Sequence, residues 1–270
     1  MSELSVTGTT SRSSDDYEKL VREARLRLLR MHHDSGVGHI GGNLSALDAM
    51  LYLHHRVMDP DDVFVLSKGH AAGALYITLW TLGRLTDEQL REFHAEGTKL
   101  AGHPVPHWNP GIPVATGSLG HGLPMAAGIA LAKRFQGESG RVYCLTSDGE
   151  WQEGSCWESL IFAHHHKLET LTVLVDQNGL QGFGSTREVS SIESLQRRIE
   201  AFGIDVVEVD GHDPDAIGPA LDRDRPGPRV VILNSIKGKG ISFMEGRVAW
   251  HYLPLTDDQY HEAVEELRAG

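Results

Sequence analysis

Ser147 to Gly184 reads SDGEWQEGSCWESLIFAHHHKLETLTVLVDQNGLQGFG. Just before it, Arg141-Val142-Tyr143-Cys144-Leu145-Thr146 is an apolar run with the length and composition of a buried strand. A helical pattern follows, and a second apolar run, Leu171 to Asp176, ends in Gln177-Asn178-Gly179. Strand, crossover helix and strand put Asp148 and Asn178 just past the carboxyl ends of two strands of one sheet. In an open parallel sheet, that edge is where ligands bind. A carboxylate and a carboxamide converging there supply hard oxygen donors, the coordination chemistry of a magnesium ion that also holds phosphate oxygens.

An acidic-Gly pair followed by an Asn after a hydrophobic strand resembles the thiamine-diphosphate motif. The surrounding letters, DGEWQEG and NGLQGFG, narrow the resemblance to the transketolase family. That family usually begins the motif with Gly-Asp-Gly, whereas this chain has Ser147 in the first place. The resemblance runs from about Tyr17 to Tyr260. It implies the diphosphate-binding domain of the thiamine-diphosphate fold, an α/β structure with a doubly wound, mostly parallel sheet and helices on both faces. Strands alternating with helices along the whole chain point the same way.

A chain of 270 residues, 40% apolar and 23% charged, is long enough to bury a large core. We expect residues 1–15, mostly polar, to be a loose tail, and residues 16–270 to form a single domain without internal repeats. With 25 basic against 37 acidic residues, the net charge of −12 argues against nucleic acid or an anionic membrane as the main partner. No apolar run reaches the roughly 18–20 residues a membrane helix needs. Two cysteines, Cys144 in a strand and Cys156 near a helix start, suggest reduced thiols and a cytoplasmic location.

From Asp16 to about His33, Leu20, Ala24, Leu28 and Met31 recur at helical spacing. Glycines dominate SGVGHIGGNLS, and Ser45 with Asp48 reads as a capping box opening a helix from Ala46 to His54. Val63–Leu66 is a short strand that leads through Ser67-Lys68-Gly69-His70 into a helix reaching Trp80, closed near Gly83. Thr86 with Gln89 caps the next helix. Leu100 to Gly122 is a Pro/Gly-rich loop too long to be idle. The helix after it, Leu123 to Phe135, is expected to pack through Met125, Ile129 and Ala132 and to end at Gly137. Ser155 with Glu158 reads as the box opening the crossover helix. His164, His165 and His166 are consecutive on that helix and point in different directions, so they cannot readily chelate one ion. Further on come a helix from Ser191 to Phe202 and a strand from Val206 to Val209. A helix started by Asp213-Pro214, the strand Arg229–Asn234 and a last helix capped by Thr256 and Gln259 complete the chain. Ser235 to Gly240, a Lys/Gly run, imitates a phosphate cradle but has no Walker spacing and no following helix pattern, and reads as an exposed turn.

Several roles are implied by the resemblance alone. VGHIGGNLS, LSKGH, AGHP and Trp250-His251 are similar to four family segments, so His39, His70, His103 and His251 are expected to line the substrate channel, His70 also at the cofactor. TG-x-LG implies that Gly117 and Leu119 hold the thiamine, Gly117 through its carbonyl to the pyrimidine amino group. Asp148, Asn178 and the Leu180 carbonyl would hold the metal, and Gly149 would bring its N–H to the diphosphate. The ion is expected to be Mg2+, with Ca2+ or Mn2+ able to substitute. Glu153 matches a glutamate of a proton-relaying cluster between active sites, and Gln181 adds a hydrogen bond. The family often has Gln where His121 stands. After the final substrate-channel histidine, His251, most relatives have Gly, whereas this chain continues Tyr252-Leu253-Pro254.

A full-length member of the family is more than twice as long and carries its activating glutamate in a second, pyrimidine-binding domain. The resemblance therefore implies the N-terminal subunit of a split transketolase, which transfers a two-carbon ketol unit from a ketose donor to an aldose acceptor. It would need a separate C-terminal, pyrimidine-binding subunit, the two forming an α2β2 heterotetramer. Two other readings remain open: another thiamine-diphosphate carboligase, 1-deoxyxylulose-phosphate-synthase-like or using 2-oxoacids, and a non-catalytic assembly subunit that has kept the fold.

Overall fold

The computed structural model describes residues 14–106, 108–109, 111–225 and 227–269, so the expected tail lies almost wholly outside the described residues. Among them the strands are β1 (Val63–Leu66), β2 (Val142–Ser147), β3 (Leu171–Gln177), β4 (Leu180–Gln181), β5 (Gly184–Ser185), β6 (Asp205–Asp210) and β7 (Arg229–Asn234). Five of them form a sheet in the order β1-β2-β3-β7-β6, every pairing parallel, while β4 and β5 make a short antiparallel hairpin. The helices are α1 (Ser14–Ser35), α2 (Ile40–Tyr52), α3 (Ala72–Thr81), α4 (Asp87–Leu90) and α5 (Gly122–Gln136). They continue with α6 (Gly154–His165), α7 (Thr186–Ser190), α8 (Leu195–Glu200), α9 (Pro214–Ala220) and α10 (Asp257–Ala269).

Successive strand residues feed two different cores. Val142, Cys144, Val173, Val175, Val230 and Ile232 pack with α5, α6 and α8, whereas Tyr143, Leu145, Leu174, Val231 and Leu233 pack with α1, α2, α3 and α9. Helices cover both faces, so the central strands are mostly apolar on both sides instead of alternating. The doubly wound parallel sheet expected from the sequence is present, with its five strands within a residue or two of their expected bounds. The chain leaves β1 into α3 on one face and leaves β2 into α6 on the other. That reversal opens a crevice at the carboxyl edge.

Capping signals match the structure where both partners are local. Thr86 and Gln89 bond reciprocally at the start of α4, as do Thr256 and Gln259 before α10. Gly137, at φ +67°, closes α5, and the Asp213 side chain caps α9.

Four expectations need correction. Helix α2 starts at Ile40, not Ala46, with His39 in the left-handed region (φ 66°) at its cap. Ser45 lies inside that helix and gives its hydroxyl to Asp176 Oδ2 at 2.6 Å, while Asp48 pairs with Arg25 and His212. Helix α6 begins at Gly154, and the Ser155 hydroxyl bonds the Gly120 carbonyl at 2.7 Å instead of capping it. Helix α5 packs through Leu123, Ala126, Ala127 and Ala130, leaving Met125 and Ile129 half-buried and Ala132 exposed; small residues are what let this helix lie close on the sheet. The helix expected over 191–202 shrinks to α8, preceded by α7, which opens on an unanticipated Ser185–Glu188 capping box.

Candidate active site

The strand tips bring together residues that are far apart in the chain. Ser147 and Asp176 are register partners, so Asp148 and Asn178 follow side by side. Asp148, 2% exposed, accepts from the Gly149 N–H at Oδ1 (2.8 Å) and from the Gly179 N–H at Oδ2 (2.6 Å). Asn178 Oδ1 accepts from the Leu180 N–H at 3.1 Å, and its Nδ2 donates to Asp176 Oδ2 at 3.3 Å and Ser45 Oγ at 3.4 Å. One N–H bond to each of these oxygens leaves lone pairs free for a hard cation. Burial, then the neighbouring charge of Asp176, pushes the Asp148 carboxyl up to about 6. A divalent cation would relieve both effects, so the donor set fits the expected metal. The Gly149 N–H, expected to face a diphosphate, is instead given to Asp148.

Beneath these oxygens lies a charged hub with no signature in the sequence. Asp176 takes hydrogen bonds from the Lys68 ammonium and the Ser235 hydroxyl as well as from Ser45 and Asn178. Lys68 and Asp176 are both fully buried. Burial pushes the Asp176 carboxyl up, yet the Lys68 ammonium and the surrounding hydroxyls outweigh it and hold it below the usual carboxylate range. Lys68 also donates to the Gly42 carbonyl at 3.0 Å. Lys237 corrects the expectation that Ser235–Gly240 is an exposed turn: it is 1% exposed, and its Nζ stands 3.1 Å from His251 Nδ1. Burial, then the positive charge of Lys68, brings its ammonium down to about 8. No carboxylate pairs with it among the described residues, so a buried cation faces the site ready for an anion.

Three of the four expected histidines form a compact group and the fourth joins its edge. Ring centroids are 5.8 Å apart for His39 and His70, 5.2 Å for His39 and His251, and 5.5 Å for His70 and His251; His103 lies 6.3 Å from His39. Asn43 braces two of them, its Nδ2 donating to the carbonyls of His39 (2.8 Å) and His70 (3.1 Å). Gly41 and Gly42 leave room for Trp250, Lys237 and the His70 ring, since a Cβ on Gly41 would meet the Trp250 carbonyl at 3.0 Å. Burial lowers His39, His70 and His251; the charge of Lys68 adds to it at His70, and that of Lys237 at His251, which falls to about 3. All three imidazoles are neutral near pH 7. His251 accepts from Lys237 at Nδ1, so its ring proton sits on Nε2.

The remaining expected residues surround this group. Gly117 (φ 141°) lies on Gly69 and against His103, and a Cβ there would meet His103 Cδ2 at 2.8 Å. Leu119, half-buried, begins the turn that sends the Gly120 N–H to Glu150 Oε1 at 2.9 Å. Gln181 lies over Gly149, whose missing Cβ would come 3.2 Å from Gln181 Oε1. Glu153 is exposed at the start of α6 against Gly120 and is not linked to the histidines by any bond among the described residues. The buried acid of this turn is Glu150, fully enclosed and bonded by Ser67 Oγ (2.5 Å) and by the N–H groups of Gly120 and Ser147 (both 2.9 Å). Ser147 is thereby accounted for: with Glu150 three residues on, it forms the capping box of the turn Asp148–Gln152.

Residues 18–268 match the family profile described as transketolase, thiamine diphosphate binding domain. Among individual proteins, the chain is 38% identical to one subunit of the apulose-4-phosphate transketolase of Actinobacillus succinogenes, over 95% of this chain and 97% of that one. It is 37% identical to the human transketolase over 86% of this chain, but only 39% of the human one. The crystal structure of the Campylobacter jejuni transketolase superposes with a TM-score of 0.88 at 28% identity, over 95% of this chain and 43% of that one. The profile spans almost the whole chain, and the relatives that match it end to end share more than a third of its residues; the chain belongs to the transketolase family, through the thiamine diphosphate binding domain.

Proposed function

We propose that this chain is the diphosphate-binding subunit of a two-chain, magnesium-dependent transketolase. The observation that carries the reading is the meeting of His39, His70, His103 and His251, at 5.2–6.3 Å, beside the adjoining tips that bear Asp148 and Asn178. Relatives of the same length are themselves named as subunits, one of an apulose-4-phosphate transketolase and one of a 6-deoxy-6-sulfo-D-fructose transketolase. A separate pyrimidine-binding chain, two copies of each, completes the enzyme in this reading. Residues 16–270 act as its single domain, and the cytoplasm is its compartment.

Asp148, Asn178 Oδ1 and the Leu180 carbonyl would hold Mg2+, and Ca2+ or Mn2+ would fit the same oxygens. Thiamine diphosphate, when bound, supplies the carbon–carbon chemistry. The Lys237 ammonium would offer its charge to the diphosphate, Gly149, whose N–H is held by Asp148, would offer only the space of its missing side chain, and Gly117 and Leu119 would contact the thiamine. The neutral histidines can take a proton from a sugar hydroxyl or give an N–H to an oxygen gaining negative charge. Gln181 would add a hydrogen bond above Gly149, and Glu153, exposed just before α6, would join a relay with the partner.

The test is ketol transfer from hydroxypyruvate to an aldose, by this chain alone, with its partner chain, and with thiamine diphosphate and Mg2+ present or withheld. We expect turnover only with everything together. Turnover by the purified chain alone would falsify the two-chain reading. Consumption of pyruvate in place of ketol donors would instead favour a different carboligase.

A further inference from the structure

Tyr252, which follows His251, occupies a structural place that no motif assigns. The Tyr252 ring stands 4.7 Å from the His251 ring and 6.1 Å from the His39 ring, edge-on to both. Its far end reaches the β4–β5 hairpin, where a Cβ on Gly182 would lie 2.0 Å from the phenol oxygen. The ring therefore bridges from the histidine group to the hairpin that carries Gln181. Its backbone is pinned as well. The Tyr252 N–H bonds the Ala249 carbonyl at 3.1 Å, and the His39 N–H bonds the His251 carbonyl at 3.1 Å. A Cβ on Gly38 would come within 2.2 Å of the Tyr252 carbonyl, so only a bare residue lets the two segments lie together.

Depth within the group gives the direction of access. Lys237 is fully buried, the His251 ring in front of it is half-buried, and Tyr252 is 54% exposed. The phenol is thus the outermost ring of the series, and its hydroxyl meets no acceptor among the described residues. On the transketolase reading, a linear aldose reacting beside His39 and His251 would extend outward past that ring, each added carbon bringing it closer to contact. We propose that Tyr252 is a specificity-determining residue: a fixed aromatic wall, set by Gly38 on one side and Gly182 on the other, that limits the length of the acceptor aldehyde. The inference rests on the transketolase reading above and adds to it the acceptor class, short aldehydes over longer aldoses.

The experiment uses the reconstituted two-chain enzyme with thiamine diphosphate, Mg2+ and hydroxypyruvate as donor. It compares kcat/KM for glycolaldehyde and for ribose, acceptors of two and five carbons. Tyr252→Ala is expected to raise the ribose-to-glycolaldehyde ratio about tenfold or more, chiefly through a lower KM for ribose. Tyr252→Phe, which keeps the wall, should keep the wild-type ratio. An unchanged ratio in Tyr252→Ala, in protein that melts like wild type, overturns the inference and leaves the transketolase reading standing. A wild-type enzyme that transfers ketol to neither acceptor overturns the reading, and the inference falls with it. If Tyr252→Phe shifts the ratio as far as alanine does, the hydroxyl and not the wall discriminates, and the length limit is wrong.

Discussion

Lys237 shows how much chemistry one buried side chain adds. An ammonium enclosed to 1% exposure, with a neutral imidazole at 3.1 Å as its partner, has lost its water without gaining a carboxylate. Burial and the charge of Lys68 bring it down to about 8, which makes an arriving anion the natural counter-charge. Lys237→Met should therefore weaken thiamine diphosphate binding about 10- to 100-fold, the worth of one charge-assisted hydrogen bond of about 1.5–3 kcal/mol. Calorimetry on the assembled enzyme with Mg2+ reads this directly, and kcat at saturating cofactor should fall less than affinity. The sign of the pH effect follows from the same depression. Below about 8 the lysine is charged and attracts diphosphate; as pH rises through about 8 the free enzyme loses that charge. Affinity should then fall on the alkaline side, by up to about tenfold per pH unit, and the methionine variant should lack this limb. A variant that binds cofactor with wild-type affinity and the same alkaline limb removes Lys237 from the site.

Elements are held to one another by the Asp176 carboxylate, which joins Lys68 after β1, Ser45 on α2, Asn178 after β3 and Ser235 after β7. Removing its charge strands the Lys68 ammonium in the core. Asp176→Asn should cost about 3–5 kcal/mol of stability, as breaking a buried pair does. Ser45→Ala, losing one bond to a carboxylate, should cost about 1.5 kcal/mol. Urea unfolding measures both, and equal, small losses would mean that the hub does not hold the strand tips together. The same hub explains what the sequence could and could not reveal. The strands are legible because two covered faces leave no polar position in Val142–Leu145 and only Thr172 in Leu171–Val175. Asp148 and Asn178 are legible from strand–helix–strand order, and the four histidines from family resemblance. The start of α2 is hidden because Ser45 has the letters of a cap while its hydroxyl partner is 131 positions away. Ser155 misleads for the same reason, its partner being the Gly120 carbonyl. Lys68 and Lys237 look like surface residues in any local window; they are buried by segments distant in the chain, Gly41 lying against Lys237 and Gly42 against Lys68. Glu150 does carry a local signal, Ser147 three residues before it in the spacing of a capping box.

For the whole molecule, the buried imidazoles couple folding to pH. His32 is 1% exposed in the core between α1 and α3, with its Nε2 facing Gly73 and its ring 5.3 Å from Phe93. Burial pushes it down to about 4, and the Val37 carbonyl offsets that only in part. His54 and His251 are displaced in the same sense, to about 4 and about 3. An unfolded chain protonates these side chains near pH ~6.5, so above that pH neither state holds the extra proton and the groups leave stability unchanged. As pH falls from about 6.5 toward about 4, the unfolded state binds protons that the native state refuses, and stability drops by up to about 1.4 kcal/mol per unit for each group. Below its native value the folded protein takes up the proton too and the loss levels off, at roughly 3 kcal/mol for His32 alone. His32→Gln, which cannot titrate, isolates this effect from the titration of the acidic residues. The variant need not begin at wild-type stability, since the ring's packing on Phe93 is lost; the readout is therefore the slope. Between about pH 6.5 and about pH 4, wild type should lose more stability than His32→Gln by roughly 3 kcal/mol in urea titrations. Parallel curves across that window would show that His32 is protonated as readily in the folded chain as in the unfolded one, contrary to its burial.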